Sequence, residues 1–169
     1  MSFLTPELLG QLIDEQAAAL ELFASQWSRA AADVVQETFV ELARQPRRPD
    51  NLIAWLYRVV RHRAYDDRRA ESRRRRRESV AAAENEPWFR PTSAGQIVPQ
   101  DATDALRELP DDLREVVVAR IWCGLTFEQI GEITQTSAAT VFRRHREALS
   151  LLRSRLGISC LDPEKTSNA

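Results

Sequence analysis

Arginine at helical spacing is the most pointed chemical feature of this chain. In the stretch Leu125–Leu156, "LTFEQIGEITQTSAATVFRRHREALSLLRSRL", Arg143 and Arg146 stand three residues apart. On a helix they share a side with Ala139 and Ser150, with Thr140 and Glu147 beside them. Val141, Ala148, Leu152 and Leu156 fall on the opposite side, at helical intervals that suit a buried stripe. A guanidinium carries a planar fork of N–H donors that fits the edge of a guanine or a pair of phosphate oxygens. Small residues at the start of such a helix let its N-terminus enter a major groove. Arg144 lies at the border of the two sides, where a backbone phosphate is the nearer partner. This is the chemistry of recognition rather than of bond-making.

The segment before that helix is the one needed to hold it. Thr126 and Gln129 have the spacing of a capping box. Leu125, Ile130 and Ile133 supply a buried side, "TQTS" a turn, and Ser137 an N-cap for the reading helix. Together they predict a helix-turn-helix that binds DNA.

Nothing in the chain predicts catalysis. Cys123 and Cys160 have no metal-ligand spacing, and no phosphate loop or Ser/His/Asp or Cys/His pairing is present. His62 and His145 both sit within Arg-rich helices. The chain is therefore not expected to be an enzyme, and no cofactor and no metal is expected.

With only 5 glycines in 169 residues and few β-branched runs, the composition favours an all-α fold. The net charge of −1 looks wrong for a nucleic-acid binder, but the charges are segregated. Arginines crowd into 58–77 and 143–155, so one surface can take DNA while an acidic one meets a protein. There is no signal peptide pattern and no apolar run of membrane-spanning length, so a cytoplasmic location with no membrane insertion is expected.

Earlier elements follow from caps and breakers. Thr5-Pro6-Glu7 starts a helix whose stripe is Leu8, Leu9, Leu12, Ile13, Leu20 and Phe23, running to about Trp27. A second helix, 29–44, buries Val34, Val35, Thr38, Phe39 and Leu42. Its outer face sets the apolar Val40 among Asp33, Gln36 and Glu37, the pattern of a protein-docking patch. "QPRRPDN" stops it. A third helix runs from near Asn51 to about Ala83, burying Leu52, Ile53, Leu56, Val59 and Val60, with Trp55 and Tyr57 on the flanks. Its other face carries Arg58, Arg61, His62, Tyr65 and Arg69, a basic stripe with an aromatic inside it, suited to a nucleic-acid backbone and to unpaired bases. Residues 84–101, rich in Pro, Ser and Gly, read as a flexible linker. A second helical group starts near Ala102 and breaks at Pro110; Asp111 or Asp112 then caps a helix that reaches Trp122 and is ended by Gly124. The domains are thus 1–83, 102–157, and a polar, disordered tail at 158–169.

In order and in spacing, "DVVQETFVELAR" (33–44), "NLIAWLYRVVRHRAYDDRR" (51–69) and "LRELPDDLREVVVARIWCGLTFEQIGEI…TVFRRHREAL" resemble the extracytoplasmic-function sigma factors, small members of the sigma-70 family of bacterial transcription initiation factors. The resemblance spans roughly residues 8–156. It implies a region 2 helical bundle and a region 4 helix-turn-helix. It implies that Asp33, Gln36, Glu37 and Val40 dock on the β′ clamp helices of core RNA polymerase, with the β subunit also a partner. Arg58, Arg61, His62, Tyr65 and Arg69 would then read and open the promoter −10 element. Ala139, Thr140, Arg143, Arg144, Arg146 and Glu147 would read the −35 element. Many such proteins are held by an anti-sigma factor, which joins the candidate partners.

The chain departs from the family pattern at three places. His62 stands for the usual Asn, Phe142 for a basic residue, and His145 for a buried Leu, so its −35 sequence is not expected to be the family's commonest. The competing reading is a helix-turn-helix regulator with an N-terminal interaction module, which leaves "DVVQETF…AWLYRVV" unexplained.

Overall fold

The computed structural model describes residues 4–78 and 100–157. Among these residues it is all-α, with seven helices: α1 (Pro6–Ala24), α2 (Ala31–Arg44), α3 (Leu52–Glu78), α4 (Gln100–Arg107), α5 (Asp111–Ile121), α6 (Phe127–Thr134) and α7 (Ala138–Arg155). The end expected for the third helix at Ala83, the linker up to residue 99, and the tail with Cys160 lie outside the described residues.

Local chemistry sets the helix starts. Thr5 caps α1 by accepting from the Leu8 amide at 3.2 Å, and Pro6 fills the position where a missing N–H costs nothing. At α5 the expected cap is displaced by one residue. Pro110 occupies the cap position without a side-chain bond, and both Asp111 and Asp112 fall inside the first turn. Their carboxylates still favour the positive end of the helix dipole.

Helices α1, α2 and α3 bundle around Leu20, Phe23, Phe39, Leu42, Leu56 and Val60. All five residues expected to face inward on α2 do so. Two expectations change. Ile13 is exposed rather than buried, and Tyr57 is fully buried rather than flanking, its ring edge-on to Phe23 at 5.2 Å. Burial beside Cys123 pushes the Tyr57 phenol above its ordinary range. Desolvation pushes the thiol of the half-buried Cys123 up to about 12, which makes it a packing group.

Helices α4 to α7 form the second group, with α7 laid across α5 and α6. Its core is Leu106, Leu113, Val116, Val117, Ile130, Ile133, Val141 and Ala148. The two groups pack on each other, α3 against α6 and α1 against α5. Polar contacts stitch this seam: Asn51 donates to Glu132 at 2.9 Å, Arg68 pairs with Asp111 at 2.6 Å, and the Cys123 thiol donates to the Ala19 carbonyl at 3.6 Å.

Candidate nucleic-acid interface

The helix-turn-helix is built by short-range bonds. Thr126 accepts from the Gln129 amide, and the Gln129 side chain accepts from the Thr126 amide, so both halves of the capping box are present. The turn passes through Gln135, left-handed at φ 57°. Gly131 lets it close: a Cβ there would stand 2.8 Å from the Thr136 carbonyl oxygen. Ser137 then caps α7 by accepting from the Thr140 amide at 3.1 Å.

Packing decides which side of α7 is free. Val141 and Ala148 are buried and Leu152 is partly buried, which turns Ala139, Arg143, Arg146, Glu147 and Ser150 outward. Thr140 is half-buried and its hydroxyl meets that of Ser137 at 2.9 Å. Arg144 differs from Arg143 and Arg146: it is half-buried and pairs with Asp112 of α5 at 3.3 Å. His145 packs edge-on to Phe127, with ring centroids 5.4 Å apart, and its Nε2 has no hydrogen-bond partner among the described residues. Burial and the nearby Arg120 lower its pKa. Phe142 remains exposed, also edge-on to Phe127.

On α3 the five residues of the basic stripe divide. Arg58, His62 and Arg69 are exposed, with His62 and Arg69 both near Asp66. Arg61 and Tyr65 are half-buried in the seam. Arg61 holds Glu115 of α5 at two points, 2.5 and 3.2 Å. Tyr65 stacks on Trp27 with centroids 4.7 Å apart, and the guanidinium carbons of Arg61 and Arg68 lie 4.9 and 5.0 Å from its ring. Burial raises the Tyr65 pKa. Burial also raises that of Glu115, against the pull of Arg61. At Asp111 burial is overcome by Arg68 and Arg114, which hold the carboxyl below its usual range.

On α2, Asp33, Gln36, Glu37 and Val40 share one exposed face. Arg63 of α3 bridges Glu37 and Glu41, each at 2.6 Å, so the acidic patch is ordered from behind. The residues that sequence reasoning missed are Trp27, Arg63, Arg68, Asp111 and Glu115. Each acts through a partner more than twenty residues away in the chain, which no local pattern encodes.

Comparison with known proteins gives a consistent picture. The family model described as Sigma-70 region 2 matches residues 17–74, and that described as Sigma-70, region 4 matches 105–154. The chain is 28% identical over 129 residues to the RNA polymerase sigma factor SigV of Bacillus subtilis, covering 75% of each chain. It is 27% identical over 138 residues to the ECF RNA polymerase sigma-E factor of Haemophilus influenzae, covering 73% of each. Among solved structures, the sigma factor RpoE in complex with the anti-sigma factor NepR from Bartonella quintana superposes with a TM-score of 0.73 at 25% identity, over 92% of this chain and 99% of that one. CnrH, solved with the cytosolic domain of CnrY, shares the fold with a TM-score of 0.62 at 22% identity, over 90% of each chain. Among the described residues no helix is long and apolar enough to cross a membrane.

Proposed function

The chain belongs to the sigma-70 family as an extracytoplasmic-function sigma factor, and on that premise we propose how its surfaces divide the work. It is a transcription initiation factor, whose partners are core RNA polymerase and promoter DNA. The α2 face of Asp33, Gln36, Glu37 and Val40 docks on the β′ clamp helices. The α3 face of Arg58, Arg61, His62, Tyr65 and Arg69 meets the −10 element. The α7 face of Ala139, Thr140, Arg143, Arg146 and Glu147 reads the −35 element, with Arg144 serving chiefly to tie α7 to α5. The chain has no catalytic site of its own, acts in the cytoplasm, and is a candidate for restraint by an anti-sigma factor, as RpoE is bound by NepR.

The observation that carries this reading is α7 itself. Its apolar side is packed and its N-terminus is capped, while Arg143 and Arg146 point outward three residues apart. In the described arrangement Arg61 and Tyr65 are engaged by Glu115 and Trp27. Arg61 reaches DNA only after α5 moves off α3, a change that binding to polymerase would drive by holding the two groups at separate sites, and Tyr65 must in addition swing off Trp27 within its own group.

Run-off transcription with purified core polymerase, followed by start-site sequencing, tests the proposal. Discrete start sites preceded by a shared pair of elements are expected. Core polymerase that initiates identically with and without the chain would overturn it.

A further inference from the structure

We propose that Phe142 is a specificity-determining residue, receiving the C5-methyl group of one thymine in the −35 element. The inference rests on the reading of α7 as the helix that enters the major groove. Phe142 follows Ala139 by three residues and precedes Arg146 by four, so it adjoins both on the outer side of the helix. Phe142 is 48% exposed beside arginines, where an apolar group has nothing to gain from water.

The ring is also held in place. It packs against Phe127 in a T-shaped arrangement, with centroids 5.5 Å apart and an interplanar angle of 80°. Phe127 is in turn covered by the Arg120 guanidinium at 4.9 Å and flanked by His145. Phe142 is thus backed by one ring from α6, and that ring is itself seated between Arg120 of α5 and His145 of α7. A side chain immobilised before binding loses little further freedom when it meets a ligand.

A phenyl ring has no hydrogen-bond donor for a phosphate or for a purine N7 or O6. In the major groove the feature that suits it is the thymine methyl. A guanine under the ring would have its acceptors stripped of water and left unpaired, so the same residue selects for thymine and against guanine.

The test uses holoenzyme reconstituted from the full chain and core polymerase, on a duplex promoter obtained by selection. Each −35 thymine is replaced singly by deoxyuridine, which removes only the methyl group. Wild-type holoenzyme should lose about fourfold in affinity at one position, the weight of one buried methyl group. Phe142→Ala should bind the thymine and uracil promoters equally while remaining sensitive to Arg143→Ala. Phe142→Leu, which keeps an apolar contact, should retain part of the discrimination and guards against a folding artefact. Absence of any uracil-sensitive position, or equal sensitivity in Phe142→Ala, would overturn the assignment. So would weaker binding of Phe142→Ala to core polymerase with an unchanged promoter preference, which would put the ring in a protein interface. If Arg143→Ala and Arg146→Ala also leave the selected sequence unchanged, the reading of α7 fails as well, and the two failures are told apart.

Discussion

Arg61 of α3 and Glu115 of α5 form a two-point ion pair across the seam between the helical groups, and the two ends are unequally buried. The Arg61 side chain keeps 32% of its exposure, whereas Glu115 keeps 3%. Removing one partner of a buried pair costs about 3–5 kcal/mol where the other is left without compensation. Here that applies to Arg61→Ala, which strands a buried carboxylate, far more than to Glu115→Ala, which leaves an arginine that can reach water. The molecule can relieve the strain by detaching α5 from α3, so seam opening sets the upper limit of the cost. Hydrogen exchange of α5 amides should therefore accelerate strongly in Arg61→Ala and less in Glu115→Ala. The reverse order would mean that Glu115 is not the desolvated member.

Tyr65 sits under two guanidinium groups and on Trp27. If it stacks on a −10 base after the seam opens, Tyr65→Ala should weaken holoenzyme binding to single-stranded −10 DNA by about 1–3 kcal/mol, with a smaller effect on duplex. Arg58 and Arg69 are exposed and suit phosphates. Their alanine variants should each reduce the salt dependence of binding by about one unit of slope. Unaltered open-complex formation in Tyr65→Ala would assign the stacking to another residue.

The acidic face of α2 invites charge reversal. Asp33→Arg with Glu37→Arg should abolish co-purification with core polymerase, because reversal replaces attraction by repulsion at an interface. Glu37 also pairs with Arg63, so circular dichroism must show the helices intact. Asp33→Arg alone, which breaks no ion pair among the described residues, should give a partial loss. Core binding that survives both changes would exclude this face as the docking surface.

What the sequence made legible was local. The caps at Thr5, Thr126 and Ser137 and the inward face of α2 depend on spacings of three and four residues, and each stands where the pattern put it. What it hid was tertiary. Tyr57 is buried because Phe23 and Cys123 lie against it, and Arg144 is half-buried because Asp112 of α5 reaches it. Periodicity sorts residues by side of a helix, but it does not say which of two polar sides a second helical group will cover. For this reason the stripe on α3 that the sequence shows as a single face divides into three exposed and two half-buried members.

His145 gives the second helical group a dependence on pH with a definite sign. Burial and Arg120 hold its folded pKa below the ordinary value of 6.5. The unfolded chain therefore takes up its proton first as pH falls. Stability is full above 6.5, declines as pH drops through it, and levels off once the folded pKa has been passed. Glu115, with a raised pKa, contributes in the opposite direction, so the quantity to follow is a difference between variants. His145→Leu cannot take up a proton, and its apolar side chain keeps the contact with Phe127. Between about pH 7.5 and about pH 5.5 the wild type should lose more melting temperature than His145→Leu. Parallel losses in the two proteins would mean that His145 titrates alike in the folded and unfolded chains, and that its packing beside Phe127 and Arg120 does not resist protonation.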